Sequence, residues 1–395
     1  MLLRPLPAAD PALVAALRQA LDGGPALAPL PADPQAAEAA LAMLRPDQPL
    51  EHTDTALIVA TSGSTGTPKG VLLSADAIRA GVIATHQALG GPGDWVLALP
   101  AHYVAGIMVI ARTLVAGTEL AYADPRLGDL PTPTRPTYLS LVPTQLHRAL
   151  DSAELTETLR AYAAILLGGA AAPQPLLDRA AAAGVRVVTS YGMSETCGGC
   201  VYDGVPLPGL RVDLLGERQR IALSGPMLFS GYRLRPELTA ETLQDGRLLT
   251  NDRGEWVPRR PSEGGNSSRH ARCASHSMSV GESKRLLRVL GRLDDVVISG
   301  GVNVDLAAVE RELHRHWPQA AAIGVPDETW GQLVVAAGTD LPDLRTLRET
   351  LDTLAPEARP RGLLRLDVLP KTSSGKVDRQ RLIARWPDHH DKELL

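Results

Sequence analysis

The spacing of apolar and polar positions changes several times along the chain, and the changes mark out its elements. Between residues 8 and 45 the apolar positions, mostly Ala and Leu, recur at helical spacing and are interrupted by Gly23-Gly24-Pro25. This predicts two short helices separated by a turn. From Thr55 the pattern shifts to short apolar runs, Ala56–Ala60 and Gly70–Ser74, followed by a helical pattern over 75–89 that Ser74 is placed to cap. Strands are expected again at Trp95–Leu99, Thr137–Leu141, Ile165–Leu167 and Val185–Thr189, with helices near 104–116 and 175–183. Such alternation implies an α/β domain with a largely buried parallel sheet.

After Val205 the helical pattern thins, and runs such as Arg211–Leu215 and Arg220–Leu223 suggest a smaller β region. Residues 258–285 carry Ser, Arg and Gly with almost no apolar periodicity and read as a disordered insertion or loop. Beyond them, strands at Val296–Ile298, Leu333–Ala337 and Leu363–Asp367, with helices near 305–316 and 343–354, predict a compact α+β domain. A length of 395 residues suits one large domain followed by this small one.

Composition narrows the classes of function. With 44% hydrophobic and 21% charged residues the chain can bury a real core. A net charge of −4 gives no general attraction to nucleic acid or anionic lipid, so nucleotide binding requires a local site. Three cysteines, Cys197, Cys200 and Cys273, argue against a disulfide framework and for a reducing compartment, the cytoplasm by default. Cys197 and Cys200 have no second pair or spaced histidines to complete a zinc site, and read as small residues near a pocket. Met1–Pro7 lacks a signal-peptide pattern, and the apolar stretch Val104–Val115 is too short to span a bilayer as a helix and carries Arg112. It reads as a buried core helix.

Chemistry concentrates first in Thr61–Gly70. This loop between two expected strands carries hydroxyls at Thr61, Ser62, Ser64, Thr65 and Thr67, glycines at Gly63, Gly66 and Gly70, and Lys69. Its main-chain N–H groups and hydroxyls can face phosphate oxygens with Lys69 as counter-charge. The Walker pattern is absent, since Pro68 precedes the lysine and Gly70 follows it. Taken alone, the segment is equally an ordinary surface hairpin. Tyr191-Gly-Met-Ser-Glu-Thr196 offers a ring face, a hydroxyl and a hard oxygen ligand of the kind Mg²⁺ prefers. Asp252 in Thr250-Asn-Asp252 can accept from both hydroxyls of a ribose.

These segments resemble the signatures of the adenylate-forming superfamily of acyl-CoA synthetases, peptide-synthetase adenylation domains and luciferases. They stand in that family's order with Leu99-Pro-Ala-His-Tyr-Val-Ala-Gly106, Gly291-Arg-Leu-Asp-Asp295 with Ser299-Gly-Gly301, and Pro370-Lys-Thr-Ser-Ser-Gly-Lys-Val-Asp-Arg379. Six ordered matches from residue 61 to residue 379 leave little room for chance.

The resemblance implies an ATP site built from Thr61, Ser62, Gly63, Ser64, Thr65, Gly66 and Lys69 around the phosphates. Tyr191 would lie against adenine, Ser194 on the α-phosphate, Glu195 on Mg²⁺, Asp252 on the ribose and Arg292 on ribose or phosphate. It further implies Lys376 as the mobile lysine of adenylation and His102 beside the reacting carboxylate. Gly168, Gly169, Ala170 and Gly192 would then lie along the acyl group. Asp294 matches the hinge about which a mobile C-terminal domain of residues 293–395 turns against a large domain of residues 1–292. Within the superfamily the chain most resembles the o-succinylbenzoate–CoA ligases of menaquinone biosynthesis, which use ATP, Mg²⁺ and coenzyme A. Another small aryl- or acyl-CoA ligase and a catalytically silent nucleotide-binding module stay open as alternatives, as does a homodimer. Deleting residues 258–285 is expected to leave ATP affinity, read by equilibrium titration, nearly unchanged; a large loss would mark the segment as structural.

Overall fold

Short all-apolar runs separated by helices need partners on both faces, and the chain supplies them by folding into two units. The computed structural model describes residues 3–62, 68–259, 285–372, 377–387 and 392–394. One unit comprises Met1–Asp213, Ala222–Leu249 and Trp256–Leu287; the other comprises Leu214–Ile221, Thr250–Glu255 and Arg288–Leu395. The expected insertion at 258–285 lies outside the described residues except at its ends.

The first unit holds two sheets. One runs β1 (Leu3–Pro7), β2 (Ala26–Leu30), β3 (Thr55–Ser62), β4 (Pro68–Ser74) and β14 (Gly231–Tyr232) in that order. β1 to β3 are parallel, while β3 with β4 and β4 with β14 are antiparallel. Helices α1 (Leu13–Leu21) and α2 (Pro34–Leu44) are the two expected before residue 45, but strands β1 and β2 flank α1 and correct that reading. All five residues of Ala26-Leu-Ala-Pro-Leu30 are buried. A strand covered on both faces shows no period-2 alternation, so its sequence does not announce it.

The second sheet runs β11 (Val205–Pro206), β10 (Gly198–Tyr202), β9 (Val187–Met193), β8 (Ala164–Leu167), β7 (Thr137–Leu141), β5 (Asp94–Leu97) and β6 (Leu120–Tyr122). Its five strands from β9 to β6 are parallel, and β10 and β11 turn back antiparallel. Helices α3 (Ala75–Leu89) and α4 (Val104–Ala116) have the ends read from sequence, because their caps are written there. Ser74 Oγ accepts from Ala77 N at 3.1 Å, and α3 and α4 stop at Gly90 and Gly117 in left-handed conformation. Helices α5 (Pro143–Leu150), α6 (Ala153–Arg160) and α7 (Gln174–Ala182) cover a core of Val96, Leu139, Leu146, Ile165 and Leu176. Helix α8 (Pro236–Thr242) follows β14. Strands β12 (Arg211–Leu215), β13 (Arg220–Ser224), β15 (Leu243–Gln244), β16 (Arg247–Pro258) and β17 (Arg285–Arg292) make up the β region where the chain divides between units.

The other unit is α+β. Its sheet runs β19 (Val302–Asp305), β18 (Val296–Ser299), β21 (Gly331–Gly338), β22 (Gly362–Arg365) and β23 (Lys392–Leu394), with β20 (Ala321–Asp327) also on β21. Alternate residues of β20 and β21 face opposite ways: Ala322, Val334 and Ala336 join α9 (Leu306–His316) and α10 (Leu344–Thr350), while Ile323 and Val335 join Leu382 of α11 (Arg379–Arg385) and Trp386. Among the described residues no helix is long and apolar enough to cross a membrane.

One polar cluster sits inside the first unit. The Trp95 indole N–H donates to His86 Nε2 at 3.3 Å, and the Arg112 guanidinium lies 4.6 Å from the centre of the Trp95 ring. Burial, reinforced by the Arg112 charge, pushes the His86 imidazole down to about 4. A histidine depressed in the folded state adds stability above its unfolded value of about 6.5 and loses it as pH falls toward the folded value. The unfolding free energy from urea titration is therefore expected to drop between pH 6.5 and 4, by on the order of 2–3 kcal/mol from this group. His86→Gln should flatten that part of the profile.

Candidate active site

The C-terminal edge of a parallel sheet is where open α/β folds bind ligands, because loops there are free to diverge. In the second sheet this edge carries the loop after β5 with His102, the turn Gly168–Ala170 after β8, and Ser194–Glu195 after β9. Gly169 has φ +85°, a left-handed conformation that glycine adopts without strain. A Cβ on Gly168 would lie 3.6 Å from Ser190 Cβ on the adjacent strand. His102 is half-buried with its ring centre 4.1 Å from that of Tyr103, and burial pushes its imidazole down, favouring the neutral form.

β9 delivers the next residues. Half-buried Tyr191 and exposed Gly192 lie near its end, and the chain then closes a buried single turn, Ser194–Thr196, before returning as β10. Gly192 faces Gly199 across the hairpin, where a Cβ would come 2.0 Å from Gly198 O and 2.7 Å from Gly199 Cα. Only glycine permits this approach. Thr196 Oγ1 accepts from Met193 N at 3.0 Å and donates to Gly198 O at 2.6 Å, tying the turn to both strands. Cys197 and Cys200 are buried and not joined in a disulfide, and the Cys197 thiol is pushed up by burial and by its neighbour Cys200, so it is inert packing.

The turn holds Glu195 against the first sheet. Lys69 Nζ on β4 donates to Glu195 Oε1 at 2.7 Å and to Tyr232 Oη at 3.0 Å, and Tyr232 Oη donates to the same Glu195 oxygen at 2.8 Å. Lys69 Nζ also lies 4.3 Å from the centre of the Tyr232 ring. Burial, with the Glu195 charge beside it, pushes the Tyr232 hydroxyl up, so it stays a donor. A buried carboxylate held through Oε1 keeps its second oxygen for a hard cation. Among the described residues no group of three or more metal-ligating side chains forms. That donor set fits Mg²⁺, which takes one or two carboxylates and completes its shell with phosphate and water.

Helix α4 turns one face to β10. A Cβ on Gly198 would meet Met108 Cγ at 3.8 Å and Val104 Cγ2 at 4.0 Å, and one further turn along the same face stands Arg112. Arg112 is buried, its charge disfavoured by burial and eased by the Tyr202 hydroxyl of β10. Its Nε has no hydrogen-bond partner, and no acidic side chain among the described residues pairs with it.

The other unit carries a second set. Arg292 grips Asp294 through two parallel bonds of 2.7 Å, and its Nη1 lies 3.9 Å from Asp252 Oδ1. The Asp252 backbone N–H is fixed by Thr250 Oγ1 at 3.0 Å. Asp252 and Arg292, far apart in sequence, are thus neighbours in space, and the stretch between them does not separate the two. Lys371 and Val377 pair as an antiparallel bridge.

Thr61 Oγ1 bonds to Lys69 O at 3.3 Å, closing the base of the phosphate hairpin. Gly63, Ser64, Thr65, Gly66 and Lys376, and the side chain of Ser62, lie outside the described residues. Two side chains that the structure brings into view were not singled out for the site in the sequence. Tyr232 follows a glycine in a two-residue strand and leaves no pattern; Arg112, a lone charge in an otherwise apolar helix, was a readable signal.

Comparison with known proteins shows what the chain is similar to. The family described as AMP-binding enzyme matches residues 6–233, and the AMP-binding enzyme C-terminal domain matches residues 312–376. A Mycobacterium tuberculosis protein named "Probable 2-succinylbenzoate--CoA ligase" is 39% identical over 98% of both chains. The 2-succinylbenzoate–CoA ligase of Geobacillus sp. (strain WCH70) is 29% identical over 86% of this chain and 71% of its own. Among solved structures, o-succinylbenzoate coenzyme A synthetase of Bacillus subtilis in complex with AMP is 26% identical, with TM-score 0.65 over 83% of this chain and 69% of that one. ATP-bound MatB of Rhodopseudomonas palustris is 25% identical, with TM-score 0.70 over 92% of this chain and 75% of that one.

Proposed function

The chain belongs to the AMP-binding enzyme family, and on that premise we propose that it is the ATP-dependent acid–CoA ligase that converts o-succinylbenzoate to o-succinylbenzoyl-CoA in menaquinone biosynthesis. ATP and coenzyme A are cosubstrates, Mg²⁺ accompanies the nucleotide, and AMP and pyrophosphate are the other products. The observation that carries the reading is the Lys69–Glu195 pair at the mouth of the phosphate hairpin, in a chain that aligns end to end with a relative bearing that activity in its name. The substrates are small molecules. A biosynthetic ligase without a described membrane-crossing helix fits the cytoplasm.

In the first half-reaction a carboxylate oxygen of the acid attacks the α-phosphorus of ATP, and the bond to the bridging oxygen of pyrophosphate breaks. Negative charge grows on the phosphoryl oxygens and on the leaving group, so fixed cations lower the barrier. Lys69 faces the leaving β- and γ-phosphates, Ser194 the α-phosphate and Lys376 the charge of the transition state. Glu195 would hold Mg²⁺, which would neutralise phosphate charge when bound. Tyr191 stacks on adenine, while Asp252, with Arg292 beside it, takes the ribose hydroxyls. In the second half-reaction the thiol of coenzyme A attacks the acyl carbon and AMP leaves. Asp294 is the pivot between the two, with residues 293–395 as the turning domain, and His102, Gly168, Gly169, Ala170 and Gly192 line the acyl group.

The second carboxylate of o-succinylbenzoate needs a buried cation, and Arg112 supplies one without an acid of its own. It stands two helical turns, about 12 Å, beyond Val104 at the start of α4, a span on the scale of this acid. A charged hydrogen bond of this kind is worth about 1.5–3 kcal/mol.

CoA-dependent AMP formation is expected with o-succinylbenzoate and not with benzoate or fatty acids; equal rates across that panel would assign a different acid. Arg112→Met should lower kcat/KM for o-succinylbenzoate by about 10- to 150-fold, mainly through KM, with little change in KM for ATP. Lys376→Ala is expected to lose acid-dependent pyrophosphate release yet still form thioester from supplied acyl-adenylate. Normal pyrophosphate release by that variant removes Lys376 from the first half-reaction.

A further inference from the structure

Strand β14 is only two residues long, yet it is held more firmly than its length accounts for. Gly231 and Tyr232 pair with Leu72 and Val71 of β4, and the ladder extends on either side through Ser230 N to Leu72 O at 2.9 Å and Arg233 N to Gly70 O at 2.8 Å. Successive side chains of a strand point to opposite faces. Tyr232 faces Lys69 and Glu195, with its ring centre 4.9 Å from that of Phe229. Arg233, on the other side, is buried and spends all five guanidinium N–H groups. Nε donates to Leu44 O at 2.9 Å, Nη2 to Arg45 O and Gln48 O at 2.9 Å each, and Nη1 to Pro49 O at 2.6 Å and Glu51 Oε2 at 2.9 Å. Glu51 Oε1 then accepts from Leu234 N at 2.7 Å, closing the clamp around the strand. Such a fully satisfied fork is rigid, since moving it strands several buried polar groups at once.

The clamp has a consequence for the site. Lys69 and Tyr232 both donate to one oxygen of Glu195. Phosphates compete for Lys69 by charge, and as the lysine turns to them Glu195 loses one of its two donors. The neutral hydroxyl is not drawn away. We propose that Tyr232 is a positioning residue of the nucleotide step: it keeps the Glu195 carboxylate aimed while Lys69 transfers its charge to the phosphates, and so couples ATP binding to Mg²⁺ binding. The proposal rests on the reading of Glu195 as the Mg²⁺ carboxylate.

The test is Tyr232→Phe beside Glu195→Gln in the full-length enzyme, with acid-dependent pyrophosphate release measured over a matrix of ATP and Mg²⁺ concentrations. Tyr232→Phe keeps the ring and its packing, and circular dichroism melting checks that it folds. It should raise the Mg²⁺ concentration for half-maximal rate at fixed ATP, and lower kcat/KM for MgATP, by on the order of tenfold. Thioester formation from supplied acyl-adenylate should be unchanged. A Tyr232→Phe enzyme with wild-type Mg²⁺ dependence overturns the proposal, as does an equal loss in both half-reactions, which marks a merely structural role. Wild-type Mg²⁺ dependence in Glu195→Gln instead overturns the underlying assignment of Glu195. A response of Glu195→Gln without one of Tyr232→Phe overturns the positioning role alone.

Discussion

One part-buried ion pair ties together the two sheets of the first unit. Lys69 belongs to the first sheet and Glu195 to the turn that ends the parallel part of the second, and their 2.7 Å contact joins the two layers together with the Tyr232 hydroxyl bond to the same carboxylate. Buried charges are costly unless each is paired and hydrogen-bonded, and breaking one partner is worse than never having buried the pair. The Tyr232 hydroxyl completes the bonding and makes the arrangement tolerable. The same constraint bears on the proposed chemistry, because it holds facing each other the lysine and the carboxylate assigned above to phosphate and its cation.

Two buried arginines show how burial and partner count separate structure from function. Arg233 spends every donor on four carbonyls and one carboxylate, and so behaves as a fixed part of the backbone scaffold. Arg112 is buried as deeply but has an unsatisfied Nε, an aromatic face and a neutral hydroxyl beside it. A charge kept in that environment costs stability, which is the condition under which an anionic ligand gains most from meeting it. In the other unit Arg292 takes an intermediate position, locked to Asp294 by a two-bond fork while leaning toward Asp252. Asp252 and Asp294, the residues proposed for the ribose and the pivot, therefore share one guanidinium, so a change at either is felt at both.

The sequence by itself determined the parts governed by local rules. Helix α3 begins at the Ser74 cap, and α3 and α4 end at Gly90 and Gly117, because caps act within one turn. The parallel-rich α/β character of the first unit and the α+β character of the other followed from the order of apolar runs, and the ordered motifs pointed to the family. Tertiary structure alone decided the rest. Strand β2 is buried on both faces and so carries no period to read, and β1 is a five-residue edge strand with two prolines, too short to show one. Lys69 and Glu195 are 126 positions apart, and Tyr232 lies 163 from Lys69, so their meeting is a property of sheet order and register that no local pattern encodes. Arg112 was visible as a misplaced charge, but that it lacks an acidic partner became apparent only once its neighbours were in place.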